Sequence, residues 1–384
     1  MQSKKRLLSK RSEKIESSGI RKVFDLAAKN KGEYVNLSIG QPHFKTPRLL
    51  KIAAKKAIHG DFNAYAPTMG LPKLRQEIAT EIGKTRNVKT DQNKAIVTSG
   101  TSGAIFLLFS SIFDPGDEVI LPDPYFVLYG QVLNFLGVKI KPLDTYPDFH
   151  IDSKKLEKLI SPKTKAIILN SPNNPTGAVY SEKEIRAVVR IAKLHELLII
   201  SDEIYSAFDY DKKFFSPFSI YSKTVLLGGF SKSHAIPGWR IGYAYGPLEI
   251  IEAMNKFQQY TFVCAPSFAQ YALLGQAGLL PEKEIENYKK KRNFVYASLK
   301  DLYELNMPEG AFYAFVKIPR GQNNFMEKLL SHKLLAVPGG VFSKRNDYFR
   351  ISFAASDEEL RRGMEILRRV SRNYESASRR STNI

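Results

Sequence analysis

The sequence predicts an α/β protein in which helices sandwich a mostly parallel sheet in a large domain, with a smaller α+β domain beside it. Three observations predict this fold. The chain has 384 residues, more than a single core usually holds, so two domains are expected. From about residue 93 to residue 246, short apolar runs alternate with helical patterns, as in parallel sheets. Beyond residue 246, helical patterns come first and strands follow.

The alternation of apolar runs and helical patterns occupies the middle of the chain. The predicted strands are 94–99, 118–122, 138–143, 164–170, 197–202, 224–230 and 239–246. The predicted helices between them are 102–113, 125–136 and 182–195. Most of these strands are apolar without alternation, which indicates that helices cover both faces of the sheet.

The sequence beyond residue 246 predicts a second, smaller domain. Its helical patterns are 248–260, 265–278, 282–304 and a last helix from Asp357, and its strands are 310–318 and 348–354. We therefore predict three segments, namely 1–47 as an N-terminal arm with part of the small domain, 48–282 as the large domain and 283–384 as the small domain.

Composition narrows the class of protein. The chain is 43% hydrophobic and 25% charged, as globular proteins are, and no apolar run approaches the roughly 20 residues of a membrane helix. The first residues lack the apolar stretch of a signal peptide. The single cysteine, Cys264, excludes an internal disulfide framework and a cysteine metal cage. We expect a cytoplasmic protein without a metal or a membrane segment.

Ligands in such sheets bind beyond the carboxyl ends of the strands, so polar residues there are candidates. One predicted strand leads into Gly100, Thr101 and Ser102, whose backbone N–H groups and hydroxyls suit an anion such as phosphate. Another ends in Asp202, a carboxylate that needs a cation or several donors if buried, and Tyr205 follows with a phenol.

Two further strand ends carry reactive or polar groups. The turn "LNSPNNPTG" allows Asn173 or Asn174 to direct an amide at a ligand. The run "LLGGFSK" ends at Lys232, and Arg240 follows eight residues later. A desolvated lysine near a second cation is driven toward its neutral form, which is a nucleophile toward carbonyl groups.

Pyridoxal phosphate is one ligand that uses all four strand ends. It has a phosphate, a phenolic oxygen, a ring nitrogen that should be protonated and an aldehyde that condenses with lysine. We therefore expect Lys232 to bind the cofactor covalently and Arg240 to pair with its phosphate.

Several motifs in order resemble the class I aminotransferases of pyridoxal-phosphate fold type I, in particular the archaeal and bacterial aspartate and aromatic aminotransferase branch. The resemblance covers nearly the whole chain. Its motifs are "SGIRKVFDLAAK", "LSIGQPHF", "NAYAPTMGLPKLR", "NSPNNPTG", "SDEIY", "GFSKSHAIPGWRIGY" and "YFRISFA". It implies the fold type I architecture, with the cofactor bound by the large domain.

The resemblance implies roles around the cofactor ring. Lys232 matches the lysine that condenses with the cofactor and then moves the substrate α-proton. Asp202 matches the carboxylate that keeps the ring nitrogen protonated. Asn174 and Tyr205 match the pair that hydrogen-bonds the phenolic oxygen, and Phe126 matches the aromatic residue that stacks on the ring.

The resemblance also implies a phosphate cradle, with Thr101, Ser102 and Arg240 at the matching positions. Tyr65 matches the tyrosine that reaches the phosphate of the neighbouring subunit, which implies a homodimer with shared active sites. The position three residues before the lysine is Gly229, where many relatives carry a phosphate-binding serine. Either Ser231 replaces that serine or the cradle has one donor fewer.

For the substrate, Arg350 matches the arginine that binds the α-carboxylate, together with the backbone of Gly40 and the amide of Asn174. A planar guanidinium binds a carboxylate through two parallel hydrogen bonds, which fixes its orientation. His43 stands where an acidic residue is usual, and Ser102 stands where some dicarboxylate-specific relatives have lysine.

Residues that choose the substrate side chain are less defined. Arg21 and Lys22 are candidates to meet a second carboxylate. Tyr260, Thr261 and Phe262 are candidates to line the same pocket from the other subunit, where they would also accept an aromatic ring.

We predict a ping-pong aminotransferase that exchanges the amino group of an aspartate-type or aromatic L-amino acid with a 2-oxo acid, expected to be 2-oxoglutarate. One alternative is a carbon–sulfur β-lyase on the same fold, since fold alone does not choose the reaction. The net charge of +20 raises a second alternative, a nucleic-acid-binding regulator. Because only about 20 residues precede the first motif, too few for a helix-turn-helix domain, we expect no nucleic-acid partner.

Overall fold

The structure, a computed structural model, describes residues 7–9, 12–15, 17–29, 33–322 and 324–381. Its strands are β1 (Val35–Asn36), β2 (Ala95–Ser99), β3 (Glu118–Asp123), β4 (Lys139–Asp144), β5 (Thr164–Asn170), β6 (Leu198–Asp202), β7 (Thr224–Gly229), β8 (Ile241–Tyr245), β9 (Tyr313–Lys317), β10 (Leu334–Leu335), β11 (Val337–Pro338) and β12 (Tyr348–Ser352). Its α-helices are α1 (Gly19–Lys29), α2 (Arg48–His59), α3 (Pro72–Arg86), α4 (Gly100–Ile112), α5 (Val127–Leu136), α6 (Ser153–Glu157), α7 (Glu182–Leu194), α8 (Leu248–Gln259), α9 (Ser267–Leu273), α10 (Glu282–Leu299), α11 (Phe325–Ser331) and α12 (Asp357–Ser381).

The central sheet has seven strands in the order β2-β8-β7-β6-β5-β3-β4. Neighbours from β7 to β4 pair in parallel, whereas β8 is antiparallel to both β2 and β7. The predicted α/β class with a mainly parallel central sheet is confirmed. Over the described ranges, none of the helices has the length and apolar character required to cross a membrane.

Helices cover both faces of this sheet, as its apolar strands predict. In β3, Val119 and Leu121 pack in a core with Leu108 of α4 and Leu133 of α5. Ile120 points to the opposite face because side chains alternate along a strand, and it packs in a second core with residues of α7. The middle of the chain is therefore a three-layer sandwich.

The central elements lie close to their predicted bounds, and the differences occur elsewhere. The sequence analysis did not identify α1, α2, α3, α6, α11 or the two-residue strands β1, β10 and β11. Two-residue strands carry no periodic pattern, since tertiary pairing alone defines them. Helix α9 ends at Leu273, earlier than predicted, because Leu274 has extended backbone angles and Gly275 a φ of +70°.

A second sheet, in the antiparallel order β11-β12-β9, lies in the C-terminal part of the chain. The N-terminal segment joins this part, because β1 pairs in parallel with β10. The Val35 N–H donates to Lys333 O at 2.8 Å, and the Ser352 N–H donates to Leu37 O at 2.7 Å. Residues 33–37 are thus held against the C-terminal region.

The order and direction of the strands bring the predicted polar residues together at the carboxyl ends of the parallel strands, which form one edge of the central sheet. Asn170 and Asp202 are the last residues of two paired parallel strands and face each other in register. Because β8 runs the opposite way, Gly229 at the end of β7 pairs with Gly242 near the start of β8. Arg240, the residue just before β8, therefore lies at the same edge as the ends of the parallel strands.

Candidate active site

A cavity of about 260 Å³ opens at this edge of the central sheet. The predicted site residues in its wall are Gly40, Thr101, Ser102, Phe126, Asn174, Asp202, Tyr205, Ser231, Lys232, Arg240 and Arg350. The wall also contains residues that the sequence analysis did not single out, namely Ile20, Ile105, Tyr129, Asn170, Ile204, Pro237 and Tyr313. The wall combines residues from the central sheet, the β9–β12 sheet and the N-terminal segment.

Lys232 projects into this cavity and has an unusual acid–base environment. Its Nζ donates to Gly40 O at 2.7 Å. Burial, together with the positive charges of Arg350 and Arg240, lowers the pKa of Lys232 to about 8, although Asp202 opposes the shift. At pH 7 about a tenth of the amine is then neutral, far more than for an exposed lysine, and the neutral form is the nucleophile.

Asp202 is buried at the end of β6 and is held by specific donors. Its Oδ2 accepts a hydrogen bond from the Tyr129 hydroxyl at 2.6 Å, and its Oδ1 accepts one from the Ile204 N–H at 3.2 Å. Burial raises the pKa of Asp202 to about 6, although both hydrogen bonds oppose that rise. Tyr129 escaped the sequence analysis because its position in an apolar helical pattern is that of a core residue.

The structure separates the two asparagines that the sequence left open. The Asn173 side chain is used inside its own turn, where Oδ1 accepts from the N–H of Thr176 at 3.1 Å and from its hydroxyl at 2.9 Å. Asn174 lies in the cavity wall, and its Oδ1 accepts from Nη1 of Arg350 at 2.8 Å. Asn174 is therefore the asparagine that faces the site.

Arg350 is a fully buried cation, only 1% exposed. Besides Asn174, it donates through Nη2 to Ser38 O at 2.7 Å, and its Nε is buried without a hydrogen-bond partner. In the part of the chain that the structure describes, no carboxylate forms an ion pair with it. Burial lowers the pKa of Arg350. A buried charge without a counter-ion is costly, so this arginine at a cavity wall indicates an anionic ligand.

Glycines shape the end of the cavity nearest α4. Gly100, the first residue of α4, has a φ of +70°, and a Cβ there would lie 2.6 Å from Nη2 of Arg240. A Cβ on Gly242 would overlap the backbone N of Thr101. Gly100 is not itself in the cavity wall, but it allows Arg240 to approach the N–H groups at the start of α4. The result is a cationic cradle suited to phosphate.

Gly229 occupies the position at which many relatives carry a phosphate-binding serine, and its surroundings leave little space for a side chain. A Cβ at this position would lie 2.8 Å from Oγ1 of Thr101 and 3.1 Å from Cα of Gly242. The Thr101 hydroxyl donates to Gly228 O at 3.0 Å, which keeps it in that place. A serine would not fit without displacing Thr101, whereas Ser231 lies in the cavity wall with its hydroxyl available.

Several candidates lie away from the cavity wall. Tyr65 and Tyr260 are 85% and 90% exposed. His43 contacts the Tyr288 hydroxyl through Nδ1 at 2.9 Å and Lys291 through Nε2 at 3.0 Å, so it is neither a cavity residue nor an isolated surface group.

Helix α1 contributes a residue to the cavity wall, but this residue is neither Arg21 nor Lys22, the two candidates from the sequence analysis. Ile20 lies in the cavity wall, whereas Arg21 is exposed and pairs with Asp25 at 3.2 Å. Lys22 is also exposed and is not in the wall.

The chemistry of this donor set fits pyridoxal phosphate. The cradle suits its phosphate, Asp202 suits its ring nitrogen, Tyr205 suits its phenolic oxygen and Lys232 suits its aldehyde. The glycines leave space where side chains would close the cradle. The fold and the site together define a pyridoxal-phosphate-dependent enzyme.

Comparison with known proteins narrows this class. The family described as aminotransferase class I and II matches residues 32–367. The chain is 38% identical over 376 residues to a probable aspartate aminotransferase of Methanocaldococcus jannaschii, covering 95% of this chain and 100% of that protein. It is 34% identical over 381 residues to aromatic-amino-acid aminotransferase 2 of Thermococcus litoralis, covering 94% and 98%. A structure of Thermus thermophilus aspartate aminotransferase with maleate superposes with a TM-score of 0.91 at 35% identity, covering 95% and 100%.

The chain belongs to the aminotransferase class I and II family. It is a fold type I, pyridoxal-phosphate-dependent transaminase that acts on small-molecule amino acids and 2-oxo acids. The family, the fold type, the cofactor and the class of reaction predicted from the sequence are confirmed.

Proposed function

We propose that this transaminase exchanges the amino group of an aspartate-type or aromatic L-amino acid with 2-oxoglutarate by a ping-pong mechanism. One observation carries the proposal. A lysine with a lowered pKa, a buried carboxylate and a buried arginine without a carboxylate partner line a single cavity, namely Lys232, Asp202 and Arg350. These groups suit proton transfer at the α-carbon of an amino acid whose carboxylate is held by the arginine.

When bound, pyridoxal phosphate supplies a ring that accepts the electron pair left when the α-proton is removed. Lys232 binds the cofactor aldehyde and later holds and moves that proton at Nζ. Asp202 keeps a proton on the ring nitrogen. Tyr205 and Asn174 would hydrogen-bond the phenolic oxygen, and Phe126 would pack against the ring.

The phosphate cradle that we propose consists of the N-terminus of α4, including the Thr101 N–H, and three side chains, with Gly100 giving the clearance between them. These side chains are Ser102, Ser231 and Arg240, since the Thr101 hydroxyl donates its proton to Gly228 O. Support comes from the N–H groups at the helix start and from the cationic guanidinium, both of which stabilise a phosphate dianion.

The substrate α-carboxylate binds Arg350, assisted by the backbone of Gly40 and the amide of Asn174. The rest of the wall near α1 and α4 is apolar, with Ile20 and Ile105. Since Arg240 and Arg350 are used by the phosphate and the α-carboxylate, an aromatic side chain fits this wall without a further cation. A second carboxylate requires a cation from outside the described wall, supplied by α1 or by the partner subunit.

The test is the visible spectrum of the pyridoxal-phosphate-loaded protein during separate additions of glutamate, aspartate, tyrosine and alanine. We expect the yellow band to disappear with accepted amino acids and to return with 2-oxoglutarate, with tyrosine acting at lower concentration than aspartate. A band that persists with all four, or that decays with release of free ammonia, would contradict the transamination, and release of ammonia would favour the lyase.

We also propose a homodimer with shared active sites in the cytoplasm. The support is that Tyr65 is exposed and absent from the wall of its own cavity, as expected for a side chain that enters the partner's site. The proposed segments remain 1–47, 48–282 with the cofactor and 283–384. The single cysteine suits a reducing compartment.

A further inference from the structure

Tyr313, on β9, contacts three parts of the candidate site at once. It is 1% exposed. Its hydroxyl lies 2.7 Å from the hydroxyl of Tyr205. The guanidinium carbon of Arg350 lies 4.5 Å from its ring centroid, a cation–π distance. A Cβ on Gly40 would collide with its hydroxyl, so the segment that accepts the Lys232 hydrogen bond also packs against it.

Either hydroxyl of the Tyr205–Tyr313 pair could be the donor of the hydrogen bond between them, and the role of Tyr205 selects the direction. Each hydroxyl has one proton and accepts through its lone pairs. Among the described residues, the Tyr313 hydroxyl has Tyr205 as its hydrogen-bond partner. If the Tyr205 proton is to reach a ligand in the cavity, the Tyr205 oxygen must accept the proton of Tyr313.

We propose that Tyr313 is a positioning residue with two separable parts. Its hydroxyl donates to Tyr205 and thereby directs the Tyr205 proton into the cavity, toward the phenolic oxygen of the cofactor. Its ring supports the guanidinium of Arg350 and so aligns the arginine for the substrate carboxylate. This inference rests on the proposed roles of Tyr205 and Arg350.

Gly40 is part of the same arrangement. Any side chain at this position would push the Tyr313 hydroxyl away from Tyr205, because the first added carbon already overlaps the hydroxyl oxygen. The glycine therefore allows the phenol pair to form beside the backbone carbonyl that binds Lys232.

The role of the Tyr313 hydroxyl is tested with the Tyr313→Phe variant. The visible absorption band of the pyridoxal-phosphate-loaded enzyme is recorded as a function of pH. Without the Tyr313 donor, Tyr205 stabilises the negative phenolic oxygen of the cofactor less. The pH at which half of the absorption change has occurred, called the midpoint below, should therefore rise by roughly 0.5–1 pH unit relative to wild type. The titratable groups that face the phenol pair stay in place, namely Tyr129, Asp202, Lys232, Tyr288 and Arg350. The control is Tyr303→Phe, which removes a buried 2.7 Å hydrogen bond to Leu367 O outside the cavity and should leave the midpoint unchanged.

The ring is tested by comparing Tyr313→Phe with Tyr313→Leu. The phenylalanine keeps the surface under Arg350, so KM for the amino acid should stay within about twofold of wild type, whereas the leucine should raise KM about tenfold. An unchanged midpoint in Tyr313→Phe, together with normal transamination by wild type, would overturn this role and leave the proposed function intact. If the visible band of the wild-type enzyme does not change with pH, both the role of Tyr313 and the proposed function are overturned.

Discussion

Lys232 illustrates at the scale of one residue how burial sets chemistry. The folded protein lowers the pKa of Lys232 to about 8, below the ordinary lysine value of 10.5. Between these two pH values the unfolded chain binds one proton more than the folded chain at this residue. The free energy of unfolding of the apoprotein should therefore rise with pH across this window, by on the order of 3 kcal/mol.

The measurement is urea unfolding of the apoprotein from pH 7 to pH 11, with Lys232→Met as the matched variant. The difference between the two proteins isolates Lys232 from the other groups that titrate in this range. Lys232→Met should be more stable than wild type below pH 8, and its advantage should vanish by about pH 10.5. Parallel curves for the two proteins would show that Lys232 is not a buried amine with a lowered pKa.

Individual residues differ in how far the sequence reveals them. Lys232, Asp202 and Asn174 stand at the end of an apolar strand or within four residues after it, where a polar group is conspicuous, and the structure places all three in the cavity wall. Tyr129 and Tyr313 lie within apolar patterns of a helix and a strand. In sequence they cannot be distinguished from core aromatics, because only the fold shows what their hydroxyls contact.

At the scale of an element, β8 closes the phosphate cradle because it is antiparallel. We expect Gly242→Ala to displace β8 from α4, since the new Cβ would overlap the backbone of Gly100 and Thr101. Overpacking against backbone costs roughly 1–3 kcal/mol. The variant should lose stability by that amount in thermal unfolding and should bind pyridoxal phosphate at least tenfold more weakly.

Gly238→Ala is the matched control for this prediction. It lies on the other side of Arg240, and a Cβ there would meet no atom within 4 Å. Its cofactor dissociation constant and unfolding temperature should equal those of wild type. Equal cofactor affinity in Gly242→Ala and Gly238→Ala would show that the close packing at Gly242 is not needed for the cradle.

Elements also differ in predictability. The strands and helices between β2 and β8 follow from alternation of apolar and amphipathic runs, and their bounds agree with the structure to within a few residues. The short strands β1, β10 and β11 have no such signal, because two residues are too few for a periodic pattern, and the pairing of β1 with β10 joins segments about 300 residues apart in sequence.

At the scale of the whole molecule, the proposed homodimer with shared active sites predicts complementation between inactive subunits. A Lys232→Ala subunit retains Tyr65, and a Tyr65→Ala subunit retains Lys232. In a mixed dimer, one of the two sites then contains both native side chains. At limiting pyridoxal phosphate, we expect the purified mixed dimer to show about half the activity of the wild-type dimer.

Two differently tagged subunits that are coexpressed and purified through both tags supply the mixed dimer. The two homodimers of the variants are the controls. Activity of the mixed dimer no higher than the mean of those controls would contradict the shared site, and a monomer in sedimentation would contradict the dimer itself.

The sequence by itself determined the class of fold, the strand ends that carry chemistry and, through its motifs, the family and cofactor. These are properties of local patterns, since apolar periodicity and polar residues at strand ends are written in consecutive residues. Only the tertiary structure decided that the Asn174 amide contacts Arg350, that Gly229 packs closely against Thr101, and that Tyr313 joins Tyr205 to Arg350. The reason is physical, because each depends on distances between segments that are remote in the chain.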